Sequence, residues 1–188
     1  METNKVVLKR WDNIQDKVAI IQEARNKYGC FKVAQKFEKP IIYQGREIEW
    51  SKHIDVLDLW STEEWWRVER ANNRQIFQSE IVLDVDPEEG ETIIQISERT
   101  KKIVDSLHAN GFDFTAYFSG SRGHHIHLII PQLVLHNSAT RRRIRERFLK
   151  KYNCDLQKAS DNTMIAMEHC PHWKTGNKKV VVKYEFAK

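Results

Sequence analysis

At 188 residues, 40% hydrophobic and 30% charged, the chain has the size of one domain with a small appended lobe, and it can bury a core without disulfides or a structural metal. No apolar run approaches the ~20 residues of a membrane span, the opening METNKVVLKRW lacks a signal-peptide core, and three scattered cysteines (Cys30, Cys154, Cys170) argue against a disulfide framework. The expected setting is therefore a reducing one, cytoplasmic or nucleoid-associated, with no membrane partner. A formal charge of +5 is weak evidence for a polyanionic partner, but its distribution says more. Arg141, Arg142, Arg143, Arg145, Arg147, Lys150 and Lys151 crowd one segment, and Lys174, Lys178, Lys179 and Lys183 another. Each is either a solvated face or a surface for phosphates.

Trp11, Ile14, Val18 and Ile21 recur at helical spacing and predict an amphipathic helix over 11–27. Residues 40–60 read as short strands and turns, and Ser61 to Glu64 match a capping box ahead of a short helix with Trp65 and Trp66. The tryptophans, Trp50 and Trp60 included, fit a core better than a base-stacking platform. Next come a strand over Glu80–Asp86, stopped by Pro87, and a helix over 91–109. That helix carries Ile93, Ile96, Thr100, Ile103, Val104 and Leu107 on one face and ends at Asn110-Gly111. Phe112–Phe118 and His124–Pro131 predict a hairpin around Ser119-Gly-Ser-Arg-Gly123. Asn137 or Ser138 should cap a helix through the arginine segment to about Tyr152, followed by a helical turn over 162–167 and a last strand over 179–186. The class expected is α+β.

Two segments carry chemistry. In Ile81-Val-Leu-Asp-Val-Asp86 strand alternation sends Val82, Asp84 and Asp86 to one face, with the two carboxylates ~7 Å apart along the strand. Such a pair stays ionised only with a cation or solvent between its members, and hard oxygen ligands suit Mg²⁺ or Mn²⁺. Taken alone, Asp86-Pro-Glu-Glu capping the next helix explains it equally well. The second segment is Ser119-Gly-Ser-Arg-Gly-His-His-Ile-His127. Its glycines let backbone amides approach a ligand, and amides, hydroxyls and an arginine fork together hold phosphate oxygens. On the emerging strand His125 and His127 share one face, His124 and Ile126 the other.

Asp84-Val-Asp86 after a hydrophobic strand, then Ser119-Gly-Ser-Arg-Gly-His-His125, resembles motifs I and II of the archaeo-eukaryotic primase superfamily. The stretch from Asp155 through Met164 to His172-Trp-Lys-Thr-Gly176 is similar to its third motif region, so the resemblance covers residues 80–176. It implies an RRM-like, antiparallel-rich catalytic sheet with helices behind it, over 76–188, and an N-terminal αβ lobe over 1–75. It further implies that Asp84, Asp86 and Asp155 hold two Mg²⁺ or Mn²⁺ ions, and that Ser119, Arg122, His125, His172 and Lys174 hold the triphosphate. The chain departs from the family in having Ala166 where a basic residue is usual, and in a shortened aspartate-to-histidine spacing. Asp161 and Glu168 are therefore alternatives to Asp155. The family's zinc insert is missing, and Cys154, His169, Cys170 and His172 lack paired-ligand spacing, so no zinc is expected.

The implied activity is template-dependent nucleotidyl transfer by a primase or primase-polymerase. Single-stranded DNA, a primer strand and nucleoside triphosphates would be its partners, with a large primase subunit, a helicase or a further domain as possible additions. A metal-dependent nuclease or phosphodiesterase, and a non-catalytic nucleic-acid-binding subunit, are the alternatives.

Overall fold

The computed structural model describes residues 33–43, 45–50, 72–168 and 170–186. In chain order they form β1 (Val33–Ala34), β2 (Lys36–Tyr43), β3 (Arg46–Trp50), β4 (Asn73–Gln75), β5 (Glu80–Val85), α1 (Ile93–Ala109), β6 (Phe114–Phe118), β7 (His124–Ile129), α2 (Ser138–Lys151), β8 (Met164–Ala166) and β9 (Val180–Val182). Short 3₁₀ turns occupy Pro131–Leu135 and Leu156–Ala159. The class is α+β. The helix expected over 11–27, Cys30, the capping box at Ser61–Glu64, His169 and the tryptophans Trp60, Trp65 and Trp66 lie outside the described residues.

The chain divides into two compact units. One contains the described residues up to Gln75 together with Met164–Lys178, and the other contains Ile76–Thr163 and the described residues from Lys179 onward. Residues 164–178, placed by sequence with 76–188, thus group with the first unit.

In the second unit a four-stranded antiparallel sheet runs in the order β5-β7-β6-β9. Alternation along β5 and β7 explains its two faces. Ile81, Leu83, Val85, Ala116, Ile126 and Leu128 pack with Ile103, Val104 and Leu107 of α1 and Leu149 of α2 in one apolar core. Each valine, leucine or isoleucine among them, fully buried, contributes about 1.5–3 kcal/mol relative to exposure. The register pairs Asp84 with His125 and Val82 with His127, so these positions share the opposite face.

Both helices begin where local chemistry says they should. At the start of α1, the Thr92 side chain accepts from the Gln95 amide while Gln95 reaches back to the Thr92 amide, a complete capping box. Ile96, Thr100, Ile103, Val104 and Leu107 are buried as expected, but Ile93 is 65% exposed. The first turn of the helix lies beyond the edge of the core. Asn137 caps α2 by accepting from the Thr140 amide at 2.9 Å.

The arginine segment is not one solvated face. Arg141, Arg145 and Leu149, spaced by four, form the buried stripe of α2. Arg145 is fully buried and donates to the carbonyls of Phe77, Gln78, Glu80 and Ala159 and to Asp161. One guanidinium thereby fastens the start of β5, the strand that carries Asp84.

The first unit holds the antiparallel sheet β1-β4-β8 and the hairpin β2–β3, whose turn includes Gly45 at φ 75°. The helical turn expected over 162–167 is instead β8, with Arg74 opposite Ile165. A pairing partner so distant in sequence overrides local preference. The buried guanidinium of Arg74 forks onto Glu168 at 3.0 and 2.7 Å.

Candidate active site

β5 delivers Asp84 to the polar face of its sheet. Its side chain is 8% exposed, and its Oδ1 lies 3.3 Å from Nε2 of His125 on β7. That approach is not aligned as a hydrogen bond, and the buried Oδ1 accepts none; Nδ1 of His125 also has no partner. Oδ2 of Asp84 lies 3.1 Å from the ammonium of Lys158. Lys158 also stands 3.8 Å from Asp155 Oδ2, at 18% exposure. Asp155 is the cap of the 3₁₀ turn that carries Lys158, accepting from the Gln157 amide at 2.9 Å through its other oxygen.

Burial opposes ionisation of Asp84, but His125 and Lys158 overcome it and hold the carboxyl far below the usual carboxylate range. Burial pulls His125 below its usual value more than Asp84 lifts it, so the histidine is neutral near pH 7. The positive charge beside Asp84 therefore belongs to Lys158. Partial burial, then the like charge of Asp84, pushes Asp86 above the ordinary carboxylate value.

Asp86 is exposed just past the end of β5. Arg99 of α1 donates to its backbone carbonyl at 2.7 Å while forking onto Glu91 at 3.0 and 2.7 Å. The Ser119–Gly123 loop packs directly against this strand end. A Cβ on Gly123 would come 2.7 Å from the Val85 carbonyl oxygen and 3.2 Å from Asp86 Oδ1. Glycine at 123 is thus a requirement of close approach, whereas Gly120, at φ 89°, serves the turn itself. The Ser119 amide donates to the Gly123 carbonyl at 3.0 Å and closes the loop. Ser119 is buried and Arg122 exposed.

The structure thus brings Asp84, Asp86 and His125 together beside the loop of Ser119 and Arg122, with Asp155 joined through Lys158. His172 and Lys174 belong to the first unit. There they sit in a tight loop in which the Lys174 amide donates to His172 Nδ1 at 3.2 Å and the Gly176 amide to the His172 carbonyl at 2.9 Å. The alternative carboxylates have other tasks. Asp161 receives the guanidinium groups of Arg141 and Arg145, and Glu168 that of Arg74. Lys179, expected in a basic surface cluster, is fully buried, with Nζ 2.9 Å from His127 Nε2 and over the ring of Tyr117. An ammonium can only donate, so His127 accepts there and its Nδ1–H faces Glu80 at 2.7 Å. Cys154 is a core thiol, pushed up to about 12 by burial and by Asp84.

Sequence reasoning missed Lys158, Arg99 and Glu80. No local signal marks them: Glu91 lies before the cap of α1, eight residues from Arg99 and outside the spacings of three and four that pair side chains on a helix.

Asp84 with its buried oxygen, a neighbouring acid raised by burial and like charge, and a third carboxylate held near by one lysine are a set of hard-oxygen donors, though their ligand atoms do not all lie within 4.8 Å of one another. Mg²⁺ or Mn²⁺ fits that set by ligand chemistry.

No family profile and no curated protein matches the sequence. Among solved structures, the chain is similar to the "Polymerase Domain from Mycobacterium tuberculosis Ligase D in complex with DNA", at 13% identity and a TM-score of 0.49. The match covers 77% of this chain and 62% of that one, so the chain spans less than two thirds of the structure it matches. No helix among the described residues is long and apolar enough to cross a membrane.

Proposed function

We propose that the chain is a nucleotidyltransferase of the primase-polymerase kind, adding nucleotides to a strand opposite a single-stranded template. The observation that carries this reading is the strand register. It sets Asp84 opposite His125 and seats Gly123 against Asp86, so that the acidic motif and the glycine-serine-arginine loop meet at one strand end. Asp84, Asp86 and Asp155 would hold the divalent ions. Bound there, such ions supply activation of an attacking 3′ hydroxyl and charge compensation at the leaving pyrophosphate.

The chain's own groups do the rest. Loop amides and the Ser119 hydroxyl offer donors to a polyphosphate, and the exposed Arg122 offers a planar fork for its oxygens. A neutral His125 carries one N–H to donate and adds no charge to repel a cation. Arg99 fixes the backbone of Asp86, which keeps the acid beside the loop. His172 and Lys174 are assigned to the triphosphate by the sequence resemblance alone.

The test is incubation with primed and unprimed single-stranded DNA, labelled nucleotides, and Mn²⁺ or Mg²⁺. Strand extension or dinucleotide formation is expected. Asp84→Ala with Asp86→Ala should lower synthesis at least about 10³-fold while template affinity stays within a small factor. Synthesis surviving in the double variant would refute the assignment, and template loss without triphosphates would point to a nuclease instead.

A further inference from the structure

The ammonium of Lys158 touches two of the three carboxylates assigned to cations, Asp84 Oδ2 at 3.1 Å and Asp155 Oδ2 at 3.8 Å. It reaches them from a turn that is itself anchored. Asp155 caps that turn, Ala159 packs in the apolar core, and the Ala159 carbonyl accepts from Arg145. The backbone is therefore fixed, while the lysine side chain is a four-carbon stem with rotamer freedom and partial exposure.

We infer that Lys158 is a placeholder cation. Its ammonium offsets part of the negative charge of Asp84 and Asp155 while no divalent ion is bound, and it swings out to solvent when one enters. Two observations carry this beyond a surface ion pair. The contact with Asp84 is largely buried, so these charges are screened less than on an open surface and a second cation beside the ammonium would be repelled. Moreover, only one oxygen of Asp84 meets the lysine: Oδ2 does, while the buried Oδ1, 3.3 Å from His125 Nε2, accepts no aligned hydrogen bond. The three donors of the Lys158 ammonium are aimed elsewhere than at that oxygen, whereas an ion with several coordination positions can serve it. Lys158 thus keeps Asp84 and Asp155 compatible with folding in the metal-free state and sets a threshold for loading. The inference rests on the carboxylates being a cation site, as proposed above.

The test uses the full chain, stripped of metal with chelator and titrated with Mn²⁺ alone, free ion being followed by electron paramagnetic resonance. Lys158→Met keeps much of the stem and removes the charge; it should bind Mn²⁺ on the order of tenfold more tightly than wild type. Lys158→Arg keeps the charge and should bind no more tightly than wild type. A second measurement needs no variant: acetylation of lysines in the wild-type chain, mapped by mass spectrometry, should rise several-fold at Lys158 on Mn²⁺ saturation and stay level at Lys101. Unchanged affinity in a folded Lys158→Met chain, or unchanged reactivity of Lys158 in wild type, overturns the placeholder while leaving the cation site intact. If wild type and Asp84→Ala bind Mn²⁺ equally poorly, the cation site itself is refuted and the inference falls with it.

Discussion

At the scale of single residues, Asp161 shows what becomes of a carboxylate that meets guanidinium. Arg141 reaches it with Nε at 3.1 Å and Nη2 at 2.6 Å, and the fully buried Arg145 reaches it too. Burial works against its ionised form, but the two arginines win and lower its pKa to about 2. In the unfolded chain the same group titrates near 3.8. Its contribution to stability is accordingly complete above pH ~4 and fades as the pH falls through the folded value near 2. Asp161→Asn leaves Arg145 without its counter-charge and should cost about 3–5 kcal/mol, visible as a lower thermal midpoint at pH 7. Below pH ~2 the difference from wild type should shrink, and a constant gap across that range would contradict the linkage. The sequence marks Arg141 and Arg145 as members of a basic run; their spacing of four hints at a shared helix face, but nothing local names an aspartate beyond the following 3₁₀ turn as their partner. Lys158 was illegible for the same reason. It is one lysine among many, and its meaning comes from strand β5, far off in the chain.

At the scale of elements, the polar face of the sheet was legible because strand alternation is strict. Knowing that 80–86 and 124–131 are strands is enough to put Asp84 with Asp86, and His125 with His127. Which of these would meet across the sheet was not legible, since register depends on the loop between partners and on the pleat. Glycine 123 decides that meeting. Gly123→Ala would force a Cβ against the Val85 carbonyl, and either the loop or the end of β5 must retreat. A cost of about 1–3 kcal/mol is expected, with weaker nucleotide binding than Gly111→Ala, which meets open space but carries its own strain at φ 71°. Equal nucleotide affinity in the two variants, measured by calorimetry, would mean that the loop does not need its closeness to Asp86. The failure at 162–167 has the opposite origin. Three residues that pair with β4 are too few to announce a strand by periodicity.

At the scale of the whole molecule, the net charge of +5 takes on direction once the buried arginines are set aside. Arg142, Arg143, Arg147, Lys150 and Lys151 remain exposed on α2. If this face follows a single-stranded template, binding should weaken steadily with salt at about 0.7 in log–log slope per phosphate contact. Changing Arg143, Arg147 and Lys150 together to Ala should flatten that slope by about 2 without altering the circular dichroism. An unchanged slope would move the template elsewhere. The division of the chain constrains such experiments. The path leaves the first unit after Gln75, re-enters it at Met164 to supply β8 and the His172 loop, and leaves again after Lys178 to supply β9. A gene truncated to begin at Ile76 would therefore carry an orphan ribbon with its hydrogen-bonding edge bare, prone to self-association. Scission at a single point cannot part the two units, and a piece made only of 76–163 and 179–188 would lose His172 and Lys174, the pair that the resemblance gives to the triphosphate.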